Sequence, residues 1–133
     1  MHAVERSFNI YFIQTIHIRF RCAFDIADMC DAGIVVLAAF VSPFLKDRQL
    51  LRELMPGKFI EIFVDAPIEV CEARDVKGLY KKARNGEISN FTGISSPFEV
   101  PQHPDVHIHT DQYPIDESVK LVVDNILPKL KLN

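Results

Sequence analysis

Two apolar runs, separated by a segment of helical spacing, dominate the first half of the chain. Residues 34–40 and residues 59–65 are rich in β-branched and aromatic side chains, which is typical of buried strands. Between them, residues 46–55 carry leucines at helical spacing, and Pro56-Gly57 follows as a stop signal. The succession of strand, helix and strand predicts a right-handed parallel crossover.

Three further elements are predicted around this unit. Residues 25–32 have the pattern of a helix end, with Gly33 as its C-terminal stop. A third short strand is predicted at residues 106–109, and residues 115–130 have the pattern of an amphipathic helix. Its inward-facing side chains are predicted to be Val119, Val122, Val123, Ile126 and Leu127. The whole pattern predicts an α/β sandwich.

Length and composition narrow the class of protein. With 133 residues, 48% of them hydrophobic and 25% charged, the chain suits one globular domain. No apolar run approaches the ~20 residues that span a bilayer, and no small-residue cleavage site follows the first apolar stretch, so we expect a soluble protein without a membrane partner. Three cysteines, Cys22, Cys30 and Cys71, form neither an even disulfide set nor a close metal-binding pair, which favours buried thiols in a reducing cytoplasm.

Residues 74–84 form a basic segment. They contain five cationic side chains and a single acid, Asp75, although the formal net charge of the chain is −3. A local positive excess in an acidic chain favours a phosphorylated nucleotide over nucleic acid, because the remaining surface would repel a long phosphate backbone. The alternative is a solvated basic helix face. Glu72 and Asp75, near Arg74, are expected to form local ion pairs rather than a catalytic dyad.

The segments that follow the first two predicted strands are a second place where binding chemistry is expected. In open parallel sheets, ligands bind beyond the carboxyl ends of the strands. These segments are residues 42–44 and residues 65–67. Ser42 is placed either to offer its hydroxyl and nearby backbone donors to an anion, or to cap the helix of residues 46–55.

Five short motifs occur in a fixed order and at compact spacing. They are residues 40–44 (FVSPF), 63–67 (FVDAP), 70–75 (VCEARD), 77–83 (KGLYKKA) and 91–94 (FTGI). Together they resemble the C-terminal part of the adenylylsulfate kinase family, over about residues 21–110. The resemblance implies the three-layer, parallel-sheet α/β fold of P-loop kinases, which would be N-terminally truncated here.

The resemblance also implies an activity. Members of this family transfer the γ-phosphate of ATP to the 3′-hydroxyl of adenosine 5′-phosphosulfate, with Mg²⁺, in sulfate activation, and they are commonly dimeric. The expected ligands are therefore ATP, Mg²⁺ and adenosine 5′-phosphosulfate. The expected protein partner is a second copy of the chain, and no nucleic acid partner is expected.

The same resemblance assigns roles to individual residues. Residues 74–84 match the mobile lid that closes over the two nucleotides, and Arg74, Lys77 and Lys81 are the candidates for phosphate contacts. Phe91 matches the aromatic residue that stacks on the adenine of the phosphosulfate substrate; the alternative for Phe91 is an ordinary core residue. Phosphoryl transfer needs cations that neutralise spreading charge and a lid that excludes water, so both roles suit the reaction.

A further match lies at the first strand end. Ser42, Pro43 and Phe44 match the family's Ser-Pro-Phe motif, which lies beside the substrate. The serine of this motif has been treated as phosphorylatable in some members. We carry Ser42 over as a substrate contact.

The first part of the sequence departs from the family. The chain contains no G-x-x-x-x-G-K-[ST] loop, the segment that cradles ATP phosphates. Residues 1–20 resemble nothing in the family, so we divide the chain into that segment and a partial kinase domain at residues 21–133. We expect a truncated or recombined gene, or a misplaced start. The β-rich run of residues 9–16 is hypothesised to fill the place of a missing central strand.

Three interpretations follow for function. The first is an adenylylsulfate kinase whose chain, as given, has little or no turnover. The alternatives are a non-catalytic nucleotide-binding or subunit remnant of that kinase, and an inactive pseudogene product. No metal site is predicted, because His107 and His109, with His103 or Asp105, lack a defined third ligand and are interpreted as structural or solvent-facing.

Overall fold

The computed structural model describes the backbone of residues 16–130 and the side chains of residues 24–130. In chain order, the elements of this part are helix α1 (Ile16–Asp31), helix α2 (Leu45–Leu54), strand β1 (Ile62–Asp65), helix α3 (Ile68–Ala73), helix α4 (Leu79–Arg84), strand β2 (Val106–His109), helix α5 (Ile115–Ile126) and a 3₁₀ turn (Leu127–Lys129). The strand hypothesised at residues 9–16 lies outside the described residues except for its last residue, which begins α1. None of the described helices is both long and apolar enough to cross a bilayer.

The first two helices end within one residue of where the sequence predicts. At the end of α1, Gly33 has φ 84°. Its N–H donates to the carbonyl of Cys30, and the N–H of Ile34 donates to the carbonyl of Met29. This pair of hydrogen bonds is a Schellman motif, whose left-handed residue is most easily a glycine. Helix α2 ends at Leu54, one residue earlier than predicted and two before Pro56 of the predicted Pro-Gly turn.

Strands β1 and β2 pair in parallel. The register sets Ile62 opposite Val106 and Asp65 opposite His109. The connection between the strands contains α3 and α4. The predicted α/β class with a parallel sheet is therefore confirmed, and β2 has the predicted bounds, whereas β1 begins three residues later than predicted.

The core consists of residues from both strands, from α3 and α4 between them, and from the end of α2. Its buried apolar side chains are Met55, Phe63, Cys71, Tyr80, Ala83, Val106 and Ile108. Cys71 of α3 and Tyr80 of α4 are each only 1% exposed. The prediction of buried thiols is thus confirmed for Cys71, while Cys30 is half-buried and the side chain of Cys22 lies outside the described part.

The segment of residues 34–40 is not the predicted buried strand. It has no strand assignment, and the side chains of Ile34, Leu37 and Phe40 are 54%, 76% and 41% exposed. A strand is stable only beside a hydrogen-bonding neighbour, and the sheet of the described residues consists of β1 and β2 alone. The crossover predicted through α2 is therefore wrong, because one of its two strands does not form.

Helix α5 has the predicted amphipathic sequence but does not bury the predicted face. Three of the five core residues predicted within residues 115–130 are exposed: Val119 (55%) and Val123 (38%) in the helix, and Leu127 (52%) in the 3₁₀ turn that follows it. Val122 and Ile126 are half-buried, and the buried residue of this helix is Ser118. The inward-facing prediction is wrong for the three exposed residues, because the described part of the chain places no layer over that side of the helix.

Candidate nucleotide-binding segment

The basic segment is organised by the carboxylate of Asp75. Its Oδ1 accepts a hydrogen bond from the backbone N–H of Leu79 (3.0 Å), and its Oδ2 accepts from Tyr80 (2.8 Å) and Lys81 (3.3 Å). Gly78, with φ 67°, makes the turn that brings the carboxylate over the first turn of α4. A carboxylate in this place satisfies unpaired N–H groups and complements the helix dipole.

The two acids near Arg74, Glu72 and Asp75, make different contacts. Glu72 does form an ion pair, but with Arg84, at 2.7 Å. Asp75 binds the backbone N–H groups of α4 instead of a side-chain cation. Arg74 donates from Nη2 to the carbonyl oxygen of Thr110 at 3.0 Å, directly after β2. The guanidinium therefore ties the end of α3 to the end of the second strand.

Phe91 lies against α4 through Tyr80. The two ring centroids are 5.0 Å apart, and the ring planes meet at 73°, an edge-to-face arrangement. Tyr80 is fully buried, whereas Phe91 is half-buried and keeps part of its surface open to solvent. The structure thus combines features of both interpretations of Phe91, one part of the ring packed on the core and another accessible.

A tight turn fixes the position of Phe91. Its carbonyl oxygen accepts hydrogen bonds from the N–H groups of Ile94, Ser95 and Ser96, and its own N–H donates to Ser95 Oγ at 2.9 Å. Asn90, directly before it, has φ 57°. The backbone of Asn90 and the hydrogen bonds to residues 94–96 therefore hold Phe91 in an ordered turn.

The candidate cations differ in how they are held. Lys77 and Lys81 are exposed, whereas Arg74 is half-buried. A depression of about 180 Å³ beside α4 is lined by Glu72, Asp75, Tyr80, Lys81 and Arg84. It is smaller than the roughly 300–1,000 Å³ typical of ligand pockets, so it is not by itself a preformed nucleotide site.

The Ser42 loop is held by the buried Arg48 of α2. The guanidinium, whose residue is 7% exposed, donates to the carbonyl oxygens of Ser42 and Glu99, and its Nε lies 2.9 Å from Glu61 Oε1. Ser42 has φ 38°, a left-handed value that non-glycine residues adopt at an energetic cost. Pro43 beside it is buried. The loop is therefore fixed in a strained conformation by contacts far apart in sequence.

Ser42 does not cap helix α2. The residue that precedes the helix is Phe44, and its side chain makes no capping hydrogen bond. The N–H of Leu45, the first residue of α2, donates instead to Glu99 Oε2 at 2.6 Å. The capping alternative for Ser42 is therefore wrong, while its role as a substrate contact stays a prediction. Sequence analysis missed Glu99 because it lies more than 50 positions away.

A second charged network joins α2 to both strands. Asp105 Oδ2 accepts from the N–H of Glu61 (2.9 Å) and from Arg52 Nη2 (3.0 Å). Partial burial acts to raise the pKa of Asp105, but the Glu61 N–H, Arg52 and Lys129 outweigh it and hold this pKa below its usual value. Burial acts to lower the pKa of Arg52. Asp105 and Glu61 outweigh this effect, so the pKa of Arg52 is raised.

Asp65 lies beside the two histidines, His107 and His109, that sequence analysis groups with other partners. His107 Nε2 is 3.0 Å and His109 Nδ1 is 3.5 Å from the same oxygen, Oδ2 of Asp65. His103 and Asp105, the partners considered from the sequence, are not in this group. Parallel pairing puts Asp65 directly opposite His109, so a correct strand register would have revealed the cluster.

Comparison with known proteins decides the family. A family model described as Adenylylsulphate kinase matches residues 14–109. The chain belongs to the adenylylsulfate kinase family. The family predicted from the five motifs is thereby confirmed, and the match includes the basic segment and Phe91.

Individual relatives agree with this assignment. An adenylyl-sulfate kinase of Marinobacter nauticus is 57% identical over 94 residues, which cover 70% of this chain and 47% of the relative. One of Aeromonas hydrophila is 53% identical over 105 residues, covering 78% and 51%. The chain thus spans about half the length of the adenylyl-sulfate kinases that it matches.

A solved structure supports the fold. The Mycobacterium tuberculosis APS kinase CysC, determined in complex with AMPPNP and APS, superimposes with a TM-score of 0.77 at 35% identity. The superposition covers 94% of this chain and 73% of that protein. The expected fold class of the adenylylsulfate kinases is therefore confirmed for this chain.

Proposed function

We propose that the chain binds adenosine 5′-phosphosulfate through the basic segment of residues 74–84 and the ring of Phe91, as part of an adenylylsulfate kinase. The observation that carries this proposal is the half-exposed ring of Phe91, held by Tyr80 against α4. A family member has been solved with AMPPNP and APS, which supports the choice of ligand.

Each group has a distinct task in this proposal. The accessible part of Phe91 stacks on the adenine. Such stacking discriminates little between bases and is worth about 1–3 kcal/mol. Lys77 and Lys81, both exposed, approach the phosphosulfate and neutralise its charge. Arg74 holds the segment to the carbonyl of Thr110, so closure of the lid starts from an anchored base.

The proposed full reaction is transfer of the ATP γ-phosphate to the 3′-hydroxyl of the bound nucleotide. The chain as given has no glycine-rich loop whose N–H groups and lysine would hold the triphosphate. Mg²⁺ prefers oxygen ligands and bound phosphates, whereas the metal-type cluster of the described residues contains two imidazoles. These donors do not fit MgATP, and we derive no step through it. We therefore propose substrate binding with little or no turnover.

Calorimetry with adenosine 5′-phosphosulfate tests the binding site. We expect Phe91→Ala to weaken binding by about 1–3 kcal/mol, or roughly 5- to 150-fold, with a smaller loss of thermal stability. Phe98→Ala is the matched control, because Phe98 is also half-buried but stacks on Phe63 of β1, with ring centroids 5.9 Å apart. Equal effects of the two substitutions on affinity would argue that Phe91 is only a core residue.

The cations are tested against a neighbour on the same helix. Lys77→Ala and Lys81→Ala are expected to lower affinity severalfold, more at low ionic strength than at high. Lys82→Ala removes the same charge from α4 and is expected to have the smaller effect. If all three variants lose affinity equally, the lysines act only through overall charge.

A coupled assay with ATP, Mg²⁺ and adenosine 5′-phosphosulfate separates the alternatives. Binding with low turnover fits an impaired kinase, binding without turnover fits the non-catalytic remnant, and neither binding nor turnover fits the inactive product. Turnover near that of full-length relatives would contradict the proposal. A homodimer and a cytoplasmic location complete it, supported by the family resemblance and by the cysteine content; sedimentation and fractionation check them.

A further inference from the structure

The carboxyl ends of β1 and β2 bring three ligand-type side chains to one place. Phe63, Asp65, His107 and His109 lie on the same face of the sheet, because paired residues in parallel strands share a face. The imidazole rings of His107 and His109 are 4.3 Å apart. One carboxylate oxygen of Asp65 and one ring nitrogen of each histidine all lie within 4.8 Å of one another.

The distances match the edges of a metal coordination shell. Tetrahedral Zn²⁺ binds nitrogen and oxygen at about 2.0–2.1 Å, which places adjacent ligand atoms about 3.3 Å apart. Asp65 Oδ2 lies 3.0 Å from His107 Nε2 and 3.5 Å from His109 Nδ1, one value on each side of that spacing. A single Asp–His hydrogen bond accounts for the first distance, and a second imidazole nitrogen approaches the same oxygen.

The surroundings orient the ligands and leave them accessible. The ring of Phe63 stacks on His107, with centroids 4.6 Å apart and planes at 28°, which restrains the imidazole. The side chains of Asp65, His107 and His109 are 35%, 40% and 42% exposed, so an ion reaches them directly from solvent. All three are carried by strands and not by loops, which favours a reproducible geometry.

We propose that Asp65, His107 and His109 form a binding site for a borderline divalent cation such as Zn²⁺, with water in the remaining position. Two imidazoles and one carboxylate suit Zn²⁺ and similar transition metals, and they disfavour Mg²⁺ and Ca²⁺. The site uses none of the residues proposed to bind nucleotide, so it stands or falls separately from that proposal. Its direct effect is to clamp β1 to β2 at their carboxyl ends.

Titration of untagged, chelator-treated protein tests the site. With Zn²⁺ in the presence of millimolar Mg²⁺, we expect one calorimetric binding event per chain, which His107→Gln, His109→Gln and Asp65→Asn each weaken about tenfold or more. The backbone carbonyl of Asp65 receives the hydrogen bonds from Thr110, so Asp65→Asn leaves them in place. Co²⁺ should give the visible absorption of a tetrahedral site in the unsubstituted chain and not in these three variants.

The control is His103→Gln, which removes an exposed imidazole from the loop before β2. It is expected to leave Zn²⁺ affinity unchanged. Both histidines of the site are substantially exposed, so their glutamine variants are expected to fold, and a melting curve without metal checks this. No Zn²⁺ binding by the unsubstituted chain, or equal binding by the His107, His109 and His103 variants, would overturn the proposal.

Discussion

Helix α4 with its flanking turns and the segment of residues 34–40 both carry family motifs or lie beside one, yet they have opposite environments. Around α4, Asp75 satisfies the first N–H groups, Tyr80 is fully buried, and Phe91 packs on it. In residues 34–40, apolar side chains are exposed and no strand forms. The difference is one of partners: α4 finds its contacts within about 20 positions, whereas a strand depends on a neighbour from elsewhere.

The comparison has a practical meaning for the isolated chain. The exposed side chains of Ile34, Val35 and Leu37 form an apolar run of the kind that promotes association between chains. In α4 itself, by contrast, the large aromatic side chain of Tyr80 is fully buried. Stability measurements that compare the two regions therefore test this difference in burial most directly.

The largest expected effect is that of Tyr80→Ala. Removing a fully buried aromatic side chain from the core should lower the free energy of unfolding by about 3–5 kcal/mol. Leu37→Ala, at a side chain that is 76% exposed, should change it by less than about 0.5 kcal/mol. Chemical denaturation measures both. A comparable loss for the two substitutions would mean that residues 34–40 are packed in solution.

The next effect concerns the contacts that hold the two strands together. Because the pKa of Asp105 is held below its ordinary value of 3.8, its contacts stabilise the fold above that pH and lose this effect as the pH falls through the lowered pKa. Asp105→Asn should cost about 1.5–3 kcal/mol at pH 7 and progressively less in acid. Melting temperatures between pH 2 and 7 check this.

The control for Asp105 is Asp111→Asn, which alters an exposed carboxylate just after β2. It should shift the melting temperature little at any of these pH values. If the melting temperatures of the two variants changed with pH in the same way, the contacts of Asp105 would not be what stabilises the paired strands.

The smallest expected effect concerns the capping of α4 by Asp75. Asp75→Ala removes the acceptor for the first N–H groups of the helix and should destabilise the protein by about 0.5–2 kcal/mol. Asp75→Asn keeps only one of the two acceptor oxygens and should recover part of this loss. Hydrogen exchange at Leu79 and Tyr80 localises the change; protection that is unaffected in the alanine variant would contradict the capping role.

The features that could be predicted from the sequence depend on local signals. Gly33 and the Pro-Gly turn mark helix ends through the backbone conformations that these residues adopt, and the strand at Val106–His109 has its predicted bounds. The five motifs identified the family because their order survives in a chain that spans about half of its relatives.

The features that could not be predicted depend on distant partners. Residues 34–40 have a strand sequence without a pairing strand among the described residues. The cap of α2 comes from Glu99, and the third member of the histidine cluster is Asp65, more than 40 positions before its neighbours. Spacing along one segment contains no information about such contacts until the strand register is known.

The guanidinium of Arg48 links three otherwise separate places: the carbonyl of Ser42, the carbonyl of Glu99 and the carboxylate of Glu61. A lysine at position 48 would keep the charge but, as a point donor on a flexible stem, could not span them with a fixed planar fork. The strained serine turn, the connection after the Phe91 turn and the approach to β1 would then lose their common anchor. The three segments are therefore not independently adjustable, and variation in any one of them is constrained by the reach of a single side chain.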